Sequence, residues 1–466
     1  MPSPIHFGTL MPHPPLLIAS IGKEETKLVR RTQKAMQDVC KEIVESQPDV
    51  VVFISPHGPM FEDAISVMDG DYLSGELKNF GVDKQYRVPN DRQLARAIAE
   101  HGKKAGIPIV LLEEQLKKNY MIREELDYGA IVPFYYLQEA GYEGKIVLLT
   151  PGFLPFERTY QAGMCLRKAI EELGRNAVII ASGDNSHALQ KNSPAGSTVE
   201  GRAFDALLQK AISGSDWVSL YELDHHYLER AAEDTLGSLF LLLGAFEGVA
   251  LLGTPLSYEA PFGVGYTVAT MYPSEGVAPS LLMTMDAIRE SRMKRIRKQE
   301  SEHALLARTA VETYVREDRI IQLTTLPTPF AKQAGCFVSI KQDGRLRGCI
   351  GTVRPSTDNL SEEIIHNAIA ACSQDDRFFP VEEEDLAELT YSVDVLEPEE
   401  EVKDTNQLDP SVYGLIVTDG ERSGLLLPNL EGIHSVEEQI MYAREKAGIH
   451  PQQHVKMYRF RVQRYR

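Results

Sequence analysis

The chain has 466 residues, 43% of them hydrophobic and 25% charged, a composition that excludes wholesale disorder and leaves room for two or three domains with real cores. Its formal net charge of −18 argues against a general nucleic-acid binder, because phosphate recognition needs clustered Lys and Arg. Five cysteines without a CxxC pair indicate neither a disulfide framework nor a structural zinc knot; with no signal-type leader and no run approaching ~20 apolar residues, a cytoplasmic protein that stays out of the membrane is expected.

Over residues 5–272 short apolar runs alternate with amphipathic stretches, which predicts an α/β architecture with a central, largely parallel or mixed sheet flanked by helices. Strands are expected at 5–10, 50–54, 109–112, 145–149, 177–181, 249–253 and 265–271, and helices at 24–46, 91–105, 159–173 and 231–247. The segment Pro273-Ser274-Glu275-Gly276 reads as a loop, and the basic run 289–298 as a solvated helix face. Beyond it the pattern changes to α+β, with helices at 303–321, 361–372 and 435–447, strands at 335–341, 389–395 and 414–419, and a hairpin turn at Asp343-Gly344. The resulting division is a first domain at 1–273, a linker and helix at 274–302, and a second domain at 303–466.

Four strand-like runs end in chemically capable side chains: Met11-Pro12-His13, Ser55-Pro56-His57, Gly183-Asp184-Asn185-Ser186-His187 and Ser257-Tyr258-Glu259. In open α/β sheets the carboxyl ends of strands share the rim where ligands bind, so these groups can converge. Two imidazoles and a carboxylate on a non-haem metal leave open coordination positions suited to Fe(II), and His13, His57 and Glu259 are the candidate ligands; the same set with water also suits catalytic Zn(II), and the metal stays open at this point. His187, a fourth imidazole, is the candidate acid/base. Asp184 and Asn185 either orient His187 or line the pocket, with Asx-turn roles equally open. The pair His225-His226 in an acidic segment reads as surface.

Segments 9–15, 53–58, 181–187 and 257–266 resemble the LigB-type family of class III extradiol ring-cleaving dioxygenases, together with its Memo-like relatives. The resemblance implies Fe(II) held by two histidines and a glutamate, with a further histidine as acid/base, roles that map onto His13, His57, Glu259 and His187. It implies a catechol-like aromatic substrate and O₂ as partners. At Asp127-Tyr128-Gly129 the chain departs from the Asp-His-Gly of dioxygenase members, so Tyr128 stands where a substrate-facing histidine is expected. Two alternatives remain beside the dioxygenase: a metal-binding, Memo-like interaction protein, and a zinc hydrolase.

Downstream, Leu346-Arg347-Gly348-Cys349-Ile350-Gly351-Thr352, Asp375-Asp376-Arg377-Phe378 and Gly424-Leu425-Leu426-Leu427-Pro428 resemble the AMMECR family, which implies an α+β domain of two subdomains and little chemistry. Arg347 as an anion contact and Cys349 as an accessible thiol are the candidate site there, against a structural cysteine. The co-occurrence of the two domain types with a radical SAM enzyme implies a shared modification pathway with such a partner. An assembly of identical copies is open.

Overall fold

The computed structural model describes residues 3–466 apart from 124, 324–326 and 431; the first two residues of the expected 1–273 domain lie outside the described residues. The chain divides into two compact units, Met1–Arg289 and Glu290–Arg466.

The first unit is built from β1 (Ile5–Met11), β2 (Val50–Ile54), β3 (Ile65–Met68), β4 (Tyr72–Glu76), β5 (Gln85–Pro89), β6 (Ile109–Leu112), β7 (Lys145–Thr150), β8 (Ala177–Ser182), β9 (Val249–Glu259) and β10 (Tyr266–Val277). Eight of them form one mixed sheet in the order β6-β3-β7-β2-β8-β1-β10-β9, and β4 and β5 make a separate hairpin. Its centre is parallel: β7, β2, β8 and β1 run the same way. These strands read as continuous apolar runs because both faces are covered. Val50, Val52 and Ile54 enter one core with Leu94, Ile98 and Leu241. Val51 and Phe53 enter the other with Met36, Ile43 and Phe134.

Two departures from the expected elements matter for the site. The run at 249–253 is not a buried parallel strand; β9 continues through Glu259, pairs antiparallel with β10 and lies at the sheet edge, with Leu251 and Ser257 buried but Leu252 and Leu256 exposed. Its outer side is occupied in part, since Gly253 N–H donates to Ser215 Oγ at 3.1 Å and Arg31 Nη2 donates to Tyr258 O at 2.9 Å. The expected helix 231–247 is two helices, His225–Ala231 and Leu236–Gly244, separated by a turn in which Ala232 takes φ 50°. Likewise the expected loop at Pro273 belongs to β10, which accommodates it through a register shift and Gly276 at φ 126°.

The helix Leu236–Gly244 crosses the helix Phe156–Glu172 at two glycines, where a Cβ on Gly163 would fall 2.0 Å from Leu241 O and one on Gly244 1.9 Å from Tyr160 O. Only glycine permits that approach.

The second unit is α+β. One sheet, β12-β11-β13-β18, contains β11 (Cys336–Gln342), β12 (Arg345–Gly351), β13 (Leu389–Leu396) and β18 (Val462–Tyr465). The other, β14-β17-β15-β16, contains β14 (Glu400–Glu401), β15 (Gly414–Thr418), β16 (Ser423–Leu426) and β17 (Lys456–Phe460). Asp343 and Gly344, at φ 48° and 83°, make the tight turn between β11 and β12. The helices Glu302–Glu317 and Leu360–Ser373 share the core of the first sheet. Among the described residues, no helix of the chain is long and apolar enough to cross a membrane.

Candidate metal centre

The carboxyl ends of β1, β8 and β2 lie side by side, with Met11 in register with Ser182 and Ile54 with Ala181. His13 follows β1 and turns over the end of β8: its backbone N–H donates to Asp184 Oδ1 at 3.0 Å, and Gly183 N–H donates to Met11 O at 3.0 Å. His57 follows β2. The third member is Asp234, from the turn before Leu236–Gly244, whose Oδ1 accepts Asp184 N–H.

In this cluster His57 Nε2 lies 3.0 Å from His13 Nε2 and 3.1 Å from Asp234 Oδ2, while His13 Nε2 lies 3.5 Å from Asp234 Oδ2. Ligands at bonds of about 2.1 Å stand roughly 3.0 Å apart at right angles and roughly 3.4 Å apart at the tetrahedral angle. The triangle therefore fits the donor set of one metal ion, two imidazoles and one carboxylate on a single face.

Proton bookkeeping supports that fit. Ser182 Oγ has one hydrogen, and it donates to Gly129 O at 2.6 Å, so toward His13 Nδ1, 3.0 Å away, the hydroxyl accepts. His13 Nδ1 thus carries the hydrogen, and in the neutral ring Nε2 presents its lone pair to the cluster. Burial opposes charge on His13, yet Asp184 and Asp234 outweigh it and raise its pKa to about 9. Asp234 is held low: burial disfavours its charge, and His13 and His57 more than compensate. Burial raises Asp184. The carboxylates of Asp184 and Asp234 thus favour positive charge beside them, as the raised His13 shows.

Other groups complete the rim. Asp127 caps the helix Tyr128–Glu139 through Ala130 N–H and accepts from Ser55 Oγ. Gly129 follows because a Cβ there would lie 2.4 Å from Ser55 Oγ. Between them, Tyr128 stacks on His57 with centroids 4.1 Å apart, and its hydroxyl lies 2.8 Å from His57 Nδ1. Burial, then Asp234, pushes the Tyr128 phenol up to about 12. His187 Nδ1 lies 2.8 Å from Ala232 O, an acceptor only, so Nδ1 holds the hydrogen and Nε2 is left free to accept one.

Glu259, expected as the third ligand, is elsewhere. It ends β9, at the edge of the sheet and with β10 standing between it and β1. Its Oε2 accepts from both the N–H and the hydroxyl of Thr32 at 2.8 Å, and Oε1 from Arg31 at 3.3 Å. The helix Arg30–Glu45 has no side-chain cap of its own, so this carboxylate satisfies its first turn. Asn185, expected to meet substrate, is fully buried and donates to Thr267 Oγ1 of β10, inside the fold. Asp184 stands beside the cluster, 3.9 Å from His13 Nε2. His226 is exposed and His225 pairs with Glu229 at 3.0 Å, apart from the cluster.

The family model of the catalytic LigB subunit of aromatic ring-opening dioxygenase matches residues 8–269. The chain belongs to the LigB family. The AMMECR1 model matches residues 304–465, so this LigB-family chain carries a fused AMMECR1 domain. A Clostridium acetobutylicum protein is 36% identical over 470 residues, covering 98% of each chain. A Thermotoga maritima protein is 48% identical over 161 residues, 34% of this chain and 92% of its own length. Among solved structures, a Pyrococcus horikoshii protein matches 36% of this chain and 90% of its own at 30% identity, with a TM-score of 0.34.

In the AMMECR1 domain, Arg347 is not an open anion contact. Its guanidinium is spent on the carbonyls of Phe379 and Pro380 and on Asp385 at 3.2 Å. Cys349 is half-buried, its N–H donating to Asp375 Oδ2 at 2.8 Å and its sulfur accepting from Ser339 at 3.2 Å. Arg377 pairs with Asp375 and reaches Cys349 O at 3.1 Å. Both motif segments are thereby locked into one turn.

Proposed function

We propose that the LigB unit is an Fe(II)-dependent extradiol-type dioxygenase acting on a catechol-like aromatic substrate. The observation that carries this reading is the facing of His13 Nε2, His57 Nε2 and Asp234 Oδ2 at 3.0–3.5 Å, a 2-His-1-carboxylate face. Fe(II) held by these three residues would supply the redox chemistry that couples a catechol to dioxygen. The chain's own groups do the rest. Ser182 keeps His13 in the tautomer that offers Nε2. His187, fixed by Ala232, accepts the substrate hydroxyl proton at Nε2 and returns it during ring opening. Tyr128 flanks the opening and offers its hydroxyl to a substrate oxygen.

Anaerobic Fe(II) titration followed by oxygen uptake with a catechol panel tests this. Wild type is expected to bind and consume oxygen, and Asp234→Ala to do neither. His187→Ala is expected to bind metal without turnover. Iron binding with no uptake across the panel would sink the dioxygenase reading in favour of a metal-binding interaction protein, the alternative favoured by the substrate-side Tyr128.

A further inference from the structure

His187 is held by one carbonyl. Ala232 O accepts both its backbone N–H at 2.9 Å and its Nδ1 hydrogen at 2.8 Å, so the setting of the ring depends on how residues 186–187 sit against the turn at 231–232. Ser186 bridges the two. Its Oγ donates to Ala231 O at 2.6 Å, and its carbonyl accepts Gly265 N–H at 3.1 Å. Its own N–H, one residue before His187, donates to Asp205 Oδ1 at 2.9 Å.

Asp205 lies on the helix Val199–Gly214 and is 3% exposed. That helix grips both segments. Its cap residue Thr198 donates through Oγ1 to Arg230 O at 2.8 Å. Gly201, four residues before Asp205 and so on the same face, packs so closely that a Cβ there would fall 2.4 Å from Ser186 Oγ. On the other side Gly265 leaves similar room, its Cβ position lying 2.0 Å from Asp205 Oδ2, the oxygen that accepts from the Tyr258 hydroxyl at 2.8 Å. Two donors thus meet the two oxygens of one buried carboxylate. Burial pushes that carboxyl up to about 6, while Ser186 N–H, the Tyr258 hydroxyl and the neighbouring His187 favour its charge. Resting on the dioxygenase reading for what His187 does, we infer that Asp205 is the positioning residue of His187. Through the Ser186 peptide it holds the imidazole on Ala232 O in a single tautomer, with Nε2 free to take the substrate proton.

Long-range proton–nitrogen correlation spectra of the metal-free full chain, with the His187 ring identified by its loss in His187→Gln, read this without turnover. The neutral ring in wild type should be one tautomer, protonated at Nδ1. Asp205→Ala should give a mixture of both tautomers, and Asp205→Asn, which keeps an oxygen for Ser186 N–H, should restore the wild-type pattern. Asp205→Val fills the space without an acceptor; it should give the same mixture and decides the matter where the alanine variant does not fold. In oxygen uptake by the Fe(II)-loaded protein, the variants that lack an acceptor should lose about 10–100-fold in kcat with KM unchanged. A mixture already present in wild type, or a single tautomer surviving in every folded variant that lacks the acceptor, would overturn the positioning role and leave the dioxygenase reading standing. A tautomer effect as expected, in a wild type that consumes no oxygen, would establish the positioning role and overturn the dioxygenase reading instead.

Discussion

Individual side chains divide sharply between chemistry and scaffolding. Glu259→Ala is expected to retain full metal affinity and to lower stability by about 1–2 kcal/mol, the cost of an uncapped first turn, read by metal titration and thermal melting together. Ser182→Ala should weaken metal binding about 10–100-fold, because it deprives His13 Nδ1 of its acceptor, and should also lower melting, because the buried Gly129 O loses its donor, at a cost of about 1–3 kcal/mol. In the AMMECR1 domain, hydrogen bonds from Arg377 hold the Asp375 carboxyl at about 2. A carboxyl lowered on folding stabilises above its unfolded value and loses that contribution as pH falls through the folded one. Acid unfolding of Asp375→Asn should therefore start from lower stability at neutral pH and show a shallower loss between about pH 4 and 2. At this scale the placement of His13 and His57 side by side was legible, since each closes an apolar run at one rim of the sheet. Which carboxylate joins them was not: Glu259 and Asp234 are both acids near apolar segments, and what separates them is a bond to Thr32 made some 227 residues away.

Secondary-structure elements explain why Asp234 escaped notice. Residues 231–247 read as one helix, whereas Ala232 turns left-handed and breaks it. The signal was present in Glu233-Asp234-Thr235 ahead of the apolar run, a helix-start signature; Glu233 indeed accepts from Thr235 and Leu236 N–H at 2.7 and 2.8 Å. The strands β2 and β6 were legible to the residue because both ends are punctuated, whereas β9 and β10 outran their apolar cores, their outer halves being held by pairing with each other. The glycine crossing gives these elements a functional reach. Gly244→Ala places a Cβ against Tyr160 O and should push the helix that begins just after Asp234, costing about 1–3 kcal/mol and weakening metal binding in a protein whose far-ultraviolet spectrum stays native.

For the whole molecule, each unit has cores of its own. Residues 290–466 expressed alone should melt cooperatively. In the full chain, added Fe(II) or Zn(II) should raise the melting of the first unit only, as ligand linkage requires. Hydrogen exchange resolved along the chain checks both. The division into an α/β and an α+β half was legible from the change in periodicity; the units part at Arg289 and Glu290, inside the helix Leu281–Gln299 and within the stretch 274–302. One consequence of the long outer strand β9 lies outside catalysis. A bare edge recruits other extended chains into fibrils. Here Gly253 has given its N–H to Ser215, Pro255 has none to give, and Tyr258 O is taken by Arg31. The same Arg31–Glu259 grip that keeps Glu259 apart from the His13–His57–Asp234 cluster thus also leaves this margin of the sheet fewer groups to offer an incoming strand.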